Sequence, residues 1–458
     1  MASRVLKRFS STATTTFTAK ATPSKAHFHQ PIPSSDFPKG YLLSGTHAGV
    51  KKNASAHDLA LLLSQSPRTS AAAVFTANAF RAAPVVVSEE ILAQTTGRAR
   101  ALVVNSGCAN AVTGAQGMKD ARAMVSEADA LLPEPSSSPR SLVMSTGVIG
   151  QTLPIERIVS GIRAAAPTLG SDFQHWEAAA RAFMTTDTFP KIRARSFTLG
   201  GRTFRIAGIS KGAGMIHPHV VPPSLPKQLH ATLLAAFATD APVSPSALQS
   251  ALNFASQRSF NAISVDGDMS TNDTVVLFAN GAGVAEGEMA EIREADEHLF
   301  KEFTEALIGC MQELAQLVVR DGEGATKFVT ITVDGATNYE DAHKIASRIS
   351  TSALVKTALY GEDANWGRIL AATGSIPLNT PLDPTAVSVS LVPPDGSAPL
   401  PLLTRGEPRN VDEERAKEIL IMEDVELRVD LGLGKESARV WTCDFSYEYV
   451  RINGDYRS

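Results

Sequence analysis

The sequence predicts a layered α/β fold of the α+β sandwich kind. Two observations carry that prediction. Short apolar runs bounded by polar residues recur along the chain, as buried strands do. Helical stretches with apolar residues near 3.6 spacing fall between them without strict βαβ alternation. The 458 residues are 43% hydrophobic and 20% charged, with both signs mixed. That composition supports a sizeable core and argues against disorder over most of the chain. At roughly 150 residues per domain, two or three domains are expected.

The first element is a start unlike the rest. Residues 1–35 contain Arg4, Lys7, Arg8, Lys20 and Lys25, and no acid precedes Asp36. Ser and Thr dominate between Ser10 and Thr22. An acid-free, Arg- and Ser-containing start reads as a mitochondrial transit peptide and disordered start, removed before about Gly40.

From Asp36 the texture is globular. Strands are predicted at Ala71–Thr76, Ala101–Asn105 and Leu142–Met144, and helices at Leu59–Leu63, Ala121–Leu132 and Trp176–Met184. Ser196–Ile209 alternates around Gly200 and Gly201, which predicts a hairpin. Ala231–Thr239 and Ala247–Ser256 fit helix or strand. Thr274–Ala279 and Phe328–Val333 are predicted strands. Helices are expected at Glu291–Val319, Tyr339–Arg348, Ser352–Tyr360 and Asp412–Leu420. Two segments read as surface loops, Pro133 to Pro139 and His219–His230. The second reads HVVPPSLPKQLH, and its three prolines fit neither a helix nor a central strand. It is expected to be solvent-exposed.

Several function classes are disfavoured. Net charge is −4 and no basic stripe occurs, so nucleic acid is not an expected partner. No run of about 18 apolar residues suggests a membrane span. Cys108, Cys310 and Cys443 stand far apart, without a C-x-x-C or Cys/His cluster. A disulfide framework and a structural zinc site are therefore not expected. Asp266, Asp268 and Asp273 lack calcium-loop spacing and are read as turn and hydrogen-bonding residues.

The informative window runs from Lys211 to Leu234. Lys211-Gly212-Ala213-Gly214 alone is a Gly-rich turn and only a weak phosphate loop. With the rest, KGAGMIHP followed by ATLL resembles the glutamate N-acetyltransferase family of the fungal mitochondrial type. These are the bifunctional ornithine acetyltransferases of arginine biosynthesis. SGTHAGVK at Ser44–Lys51, NSGCANA at Asn105–Ala111 and MSTGVIG at Met144–Gly150 resemble it too. So do MTTDTFPK at Met184–Lys191, VDGDMSTNDT at Val265–Thr274, DGEGATK at Asp321–Lys327 and the terminal YVRINGDYRS. The resemblance runs from about Gly40 to Ser458.

The resemblance implies an N-terminal-nucleophile-like acetyltransferase fold, self-cleaved between Ala231 and Thr232 into two chains. Residues 36–231 would form an α chain with the oxyanion hole and the Lys211 loop. Residues 232–458 would form a β chain with the nucleophile Thr232 at its N-terminus. A threonine hydroxyl is a weak nucleophile and needs a base. A freed α-amine, with an unperturbed pKa of about 8, can serve as that base. Thr146 and Gly147 would form the oxyanion hole. Thr185 (or its neighbour Thr186), Lys211, Thr232, Glu323, Asn453 and Ser458 would bind substrate, Lys211 meeting a carboxylate and Glu323 an ammonium. Acetyl would pass from N2-acetyl-L-ornithine to L-glutamate in the mitochondrial matrix. No metal or other cofactor is implied, though part of the family also uses acetyl-CoA as an acetyl donor. The halves would stay together as an αβ heterodimer, assembled as α2β2.

Two departures stand out. Twelve residues, His219–His230, separate Pro218 from Ala231 where the family has a much shorter spacer, so 219–230 reads as an inserted loop. Cys108 stands where the family often has Asn. Two rival readings remain from the sequence: a Thr-nucleophile aminopeptidase or amidase with water as acceptor, and an uncleaved, non-catalytic homologue.

Overall fold

The computed structural model describes residues 20–134, 136–222 and 233–454. In chain order the first strands are β1 (Tyr41–Thr46), β2 (Leu59–Ser64), β3 (Ser70–Thr76), β4 (Ala101–Cys108) and β5 (Ser141–Val148). There follow β6 (Lys191–Leu199), β7 (Arg202–Lys211), β8 (Val220–Val221), β9 (Leu234–Thr239), β10 (Ile263–Ser264) and β11 (Thr274–Ala279). The C-terminal strands are β12 (Phe328–Ala336), β13 (Ser388–Val392), β14 (Leu400–Thr404), β15 (Glu407–Pro408), β16 (Asp424–Asp430) and β17 (Glu436–Cys443). The helices that matter below are α1 (Ala83–Gln94), α2 (Gly114–Asp129), α3 (Ile155–Ala165), α4 (Phe173–Phe183), α5 (Pro245–Gln257) and α6 (Glu297–Arg320).

These strands form three sheets, ordered β1-β2-β4-β5, β6-β7-β9-β11-β3-β8 and β10-β17-β12-β16-β13-β14-β15. The six-stranded sheet is the middle layer. Side chains alternate across a strand, and here both faces are buried. Ala71, Ala73 and Phe75 enter one core, packed with the four-stranded sheet and helices α1–α4. Ala72 and Val74 enter the other, with α5, α6 and the seven-stranded sheet. The layered α/β expectation therefore holds.

The middle sheet also joins the two parts of the chain on either side of 231/232. β9 pairs antiparallel with β7 and parallel with β11, and β11 pairs antiparallel with β3. Strands from after residue 232 are thus sandwiched between strands from before residue 231. Separating the parts would expose two cores.

Three expectations need correction. Leu59–Leu63 is not helical but the strand β2, paired on both sides by β1 and β4. Its residues are all buried. A continuous apolar run carries no period that separates a buried strand from a buried helix. The second correction concerns His219–His230. Val220 and Val221 form β8 against Thr76 and Phe75, and Val220 is 3% exposed. Asn261 holds both the N–H and the carbonyl of Val220. The expected surface loop therefore does not include these residues; 223–230 lie outside the described residues.

The third is the start. Residues 1–19, most of the expected transit peptide, lie outside the described residues. Residues 20–35 are not a disordered tail. Two of the cations that looked like presequence charge are ion-paired, Lys20 to Glu362 at 2.7 Å and Lys25 to Glu423 at 2.5 Å. His29 meets Glu177 at 3.0 Å, and Phe28 lies under the Arg320 guanidinium, 4.9 Å from it. Further on, Phe37 stacks on Trp176 with ring centroids 5.0 Å apart. This strap touches both parts of the chain, so processing near Gly40 would remove built structure. Deleting residues 1–39 is expected to destabilise the protein by about 2 kcal/mol or more from the Phe37 ring alone. Deleting residues 1–19 removes none of these contacts. Thermal denaturation of the two truncations checks the difference.

Candidate active site

The ends of several elements converge on one cavity of about 120 Å³. Thr146, Gly147, Thr185, Lys211, Glu323 and Asn453 all line it. These residues are spread over 308 positions of sequence, from 146 to 453. Thr186, the alternative to Thr185, lines it as well. Ala231, Thr232 and Ser458 lie outside the described residues.

Thr146 and Gly147 sit near the end of β5, in register with Ser106 and Gly107 of β4 until a bulge at Cys108 breaks the ladder. Gly147 has φ +127°, and a Cβ there would stand 2.3 Å from the Gly107 carbonyl carbon. Only glycine allows the two strand ends to approach this closely. Cys108, the departure from the family pattern, is buried in the bulge, and its Sγ donates to the Gln151 carbonyl at 3.0 Å. Burial pushes its thiol up from the usual range. All three cysteines are free and buried.

Lys211 is the last residue of β7 and is 3% exposed. Its Nζ donates to Thr146 Oγ1 at 3.3 Å. Burial lowers the Lys211 pKa, and the second cation Lys191 adds to that; Asp187, Asp273 and Glu323 oppose it. Glu323 is held by its N–H to the Ala213 carbonyl at 2.8 Å. Asn453 Nδ2 donates to Glu323 Oε2 at 2.8 Å. Gly214 lets the carboxylate lie flat on the loop, since a Cβ there would meet Glu323 Oε2 at 2.3 Å. The cavity is thus lined by one lysine and one carboxylate.

Behind the cavity lies a buried ion cluster that the sequence reading missed. Lys191 Nζ bonds Asp187 at 2.5 Å and Asp321 at 2.6 Å, with all three side chains essentially unexposed. Asp187 also accepts from the N–H groups of Thr185 at 2.9 Å and Gly212 at 2.8 Å. Asp321 accepts the Thr188 N–H at 2.9 Å. The cluster ties the Thr185 loop, the Lys211 turn and the end of α6 together. Burial raises the cost of ionising Asp187, but Lys191, Lys211 and the Gly212 N–H overcome it and hold its carboxyl well below the usual range. At Asp321 burial, reinforced by the charge of Asp187, outweighs Lys191 and the Thr188 bonds and pushes the carboxyl up. The sequence hint was Asp187 and Lys191 four apart within MTTDTFPK. Asn272 was also missed. Its Nδ2 bonds the carbonyls of Ala109 and Ser145 at 2.6 and 2.8 Å, bracing the β4 and β5 ends.

Leu233, bonded in sequence to Thr232, is fixed on both sides. Its N–H donates to Asp273 Oδ1, and its carbonyl accepts the Thr274 N–H at 2.8 Å. The next residue, Leu234, pairs with Lys211. Asp266 accepts the N–H groups of Met215, Ile216 and Asp268. Asp266 and Asp273 thus hold turns, as read from the sequence. Among the described residues no His/Cys/Asp/Glu group could hold a metal ion, and no helix is long and apolar enough to cross a membrane.

Residues 42–458 match the ArgJ family. The Postia placenta protein named arginine biosynthesis bifunctional protein ArgJ, mitochondrial, is 62% identical over 458 residues, covering 99% of this chain and 98% of that one. The protein of the same name from Coprinopsis cinerea is 63% identical over 471 residues, covering 99% of each chain. Among solved structures, arginine biosynthesis bifunctional protein argJ from Bacillus halodurans is 38% identical, covering 47% of this chain and 96% of that chain, with a TM-score of 0.42.

Proposed function

The chain belongs to the ArgJ family, and from that premise we infer its chemistry: it carries acetyl from N2-acetyl-L-ornithine to L-glutamate, giving L-ornithine and N-acetyl-L-glutamate. It is a mitochondrial acyltransferase of arginine biosynthesis. The observation that carries the site assignment is the single cavity lined by Thr146, Gly147, Thr185, Lys211, Glu323 and Asn453.

In this reading the chain cleaves itself between Ala231 and Thr232. Thr232 Oγ then attacks the acetyl carbonyl of N-acetylornithine while its α-amine takes the hydroxyl proton. The Thr146 hydroxyl and the Gly147 N–H stabilise the tetrahedral oxyanion. The C–N bond breaks, the proton passes to the leaving amine, and ornithine departs. Glutamate enters, its α-amine attacks acetyl-Thr232, and the Thr232 hydroxyl is regenerated. Two half-reactions through one covalent intermediate require ping-pong kinetics. Both substrates carry an α-carboxylate, which suits Lys211. The ornithine side-chain ammonium suits Glu323, a group that glutamate cannot use. Ser458 completes the binding set. The mixed middle sheet would keep the two parts together once the chain is cut between Ala231 and Thr232; the assembly we propose for them is α2β2. Lys20 and Lys25, ion-paired in the strap, favour a transit peptide that ends before Lys20.

Incubation with N-acetylornithine, with and without glutamate, tests the activity. A transferase makes N-acetylglutamate only when glutamate is present. Free acetate released at a comparable rate without glutamate would make the protein a hydrolase instead. A third arm with acetyl-CoA and glutamate alone tests acetyl-CoA as a second donor. Glu323→Gln is expected to raise KM for N-acetylornithine roughly 10- to 100-fold, because the ammonium loses its charged acceptor, and to leave KM for glutamate within a few-fold. Equal losses on both substrates would contradict the role given to Glu323.

A further inference from the structure

We propose that Lys211 is a positioning residue of the oxyanion hole, its ammonium polarising the Thr146 hydroxyl. This rests on the reading of Thr146 as an oxyanion donor and assigns Lys211 a task beyond holding a substrate carboxylate. The two residues are 65 positions apart in sequence and meet only because β7 and β5 end at the same cavity. An ammonium has donors and no acceptor, so in the 3.3 Å contact Lys211 Nζ donates and Thr146 Oγ1 accepts. The Thr146 proton must then point elsewhere. Among the described residues Thr146 Oγ1 donates to no acceptor, and the residue lines the cavity. Its O–H therefore remains available to a charge developing there.

A hydroxyl that accepts from a cation becomes a stronger donor itself, because chained hydrogen bonds polarise one another. The effect is largest where water is excluded, and Thr146 and Lys211 are 1% and 3% exposed. Burial, with Lys191 beside it, lowers the Lys211 pKa, and three carboxylates oppose that shift. Asp187, Lys191 and Asp321 form a triad with one net negative charge when both carboxyls are ionised, and Asp187 acts on Lys211 in the direction of protonation. Glu323 and Asp273 act in the same direction. A lysine serving only to hold a substrate carboxylate would need no contact with the oxyanion donor.

A double-mutant cycle on the cleaved, full-length enzyme separates the two roles. Thr146→Val should lower kcat about 100- to 1,000-fold, as loss of one oxyanion donor does. Lys211→Met should lower kcat roughly tenfold or more in the otherwise wild-type enzyme. In the Thr146→Val background the same change should matter by less than about twofold, the margin within which independent effects add. Multiplying losses, or a Lys211→Met defect confined to KM, overturns the proposal. Should Lys211→Met fail to fold or to cleave, Lys211→Gln keeps one neutral donor on a long stem and carries the same cycle, with a smaller loss of kcat that again vanishes beside Thr146→Val. Failure of the wild-type enzyme to form acetyl-Thr232 would instead remove the reading on which the proposal rests.

Discussion

Replacing Thr232 with alanine is expected to abolish both self-cleavage and acetyl transfer. In the proposed mechanism one hydroxyl serves both steps, so no residual route is left through this site. Thr232→Ser should keep some of each, because the hydroxyl survives while the methyl group that restricts χ1 is lost. The contrast matters more than the null result alone. A fold defect would affect both variants on a denaturing gel and in circular dichroism, whereas loss of the nucleophile leaves a folded, uncleaved Thr232→Ala chain. The clamp on Leu233 by Asp273 and Thr274 predicts that folding is retained, since those bonds use the Leu233 backbone and not the Thr232 side chain. Acetyl transfer by folded Thr232→Ala at the wild-type rate would refute the assignment.

The second large effect concerns Lys191. Lys191→Met leaves Asp187 and Asp321 buried and facing each other without their shared cation. Breaking a buried ion pair by removing one partner typically costs about 3–5 kcal/mol. The pH dependence gives the mechanism away. In the wild type Asp187 has a depressed pKa, so its stabilisation is present above the unfolded value of about 3.9 and is lost as pH falls below it. In the variant both carboxyls lose Lys191, so burial and mutual repulsion push each above its wild-type value, Asp321 from an already raised position and Asp187 against Lys211 and the Gly212 N–H. A raised acid destabilises the fold as pH rises through its folded pKa. The gap in Tm between wild type and Lys191→Met should therefore narrow as pH is lowered from 7 toward the ordinary carboxylate range of about 4. A gap that stays constant over that range would mean that only packing was lost.

Much of this fold was legible because its signals are local. The hairpin β6–β7 follows from alternation around Gly200 and Gly201, and α6 from the apolar spacing over Glu291–Val319, although the helix begins only at Glu297. What failed had no local signal. β2 is buried on both faces and so carries no period. Lys20 and Lys25 look like presequence cations until their partners appear at Glu362 and Glu423, some 340 and 400 positions away. Val220 and Val221 sit at the head of a Pro-rich stretch whose composition hides a two-residue strand. The site divides in the same way. Thr146, Gly147, Lys211, Glu323 and Asn453 were found through motif resemblance, and no spacing rule could have joined them. The Asp187–Lys191–Asp321 cluster escaped because Asp321 is 130 positions from Lys191. Asn272 escaped because a bracing amide looks like any turn residue.

The central claim is that Thr232 carries the acetyl group, and mass spectrometry of the enzyme mixed with N-acetylornithine in the absence of glutamate tests it most directly. The expected result is a C-terminal chain that begins Thr-Leu-Leu and bears one acetyl group on Thr232. Adding glutamate should remove that acetyl and yield an equal amount of N-acetylglutamate. A C-terminal chain that starts elsewhere, an acetyl group on another residue, or N-acetylglutamate formed with Thr232 never acetylated would contradict the account.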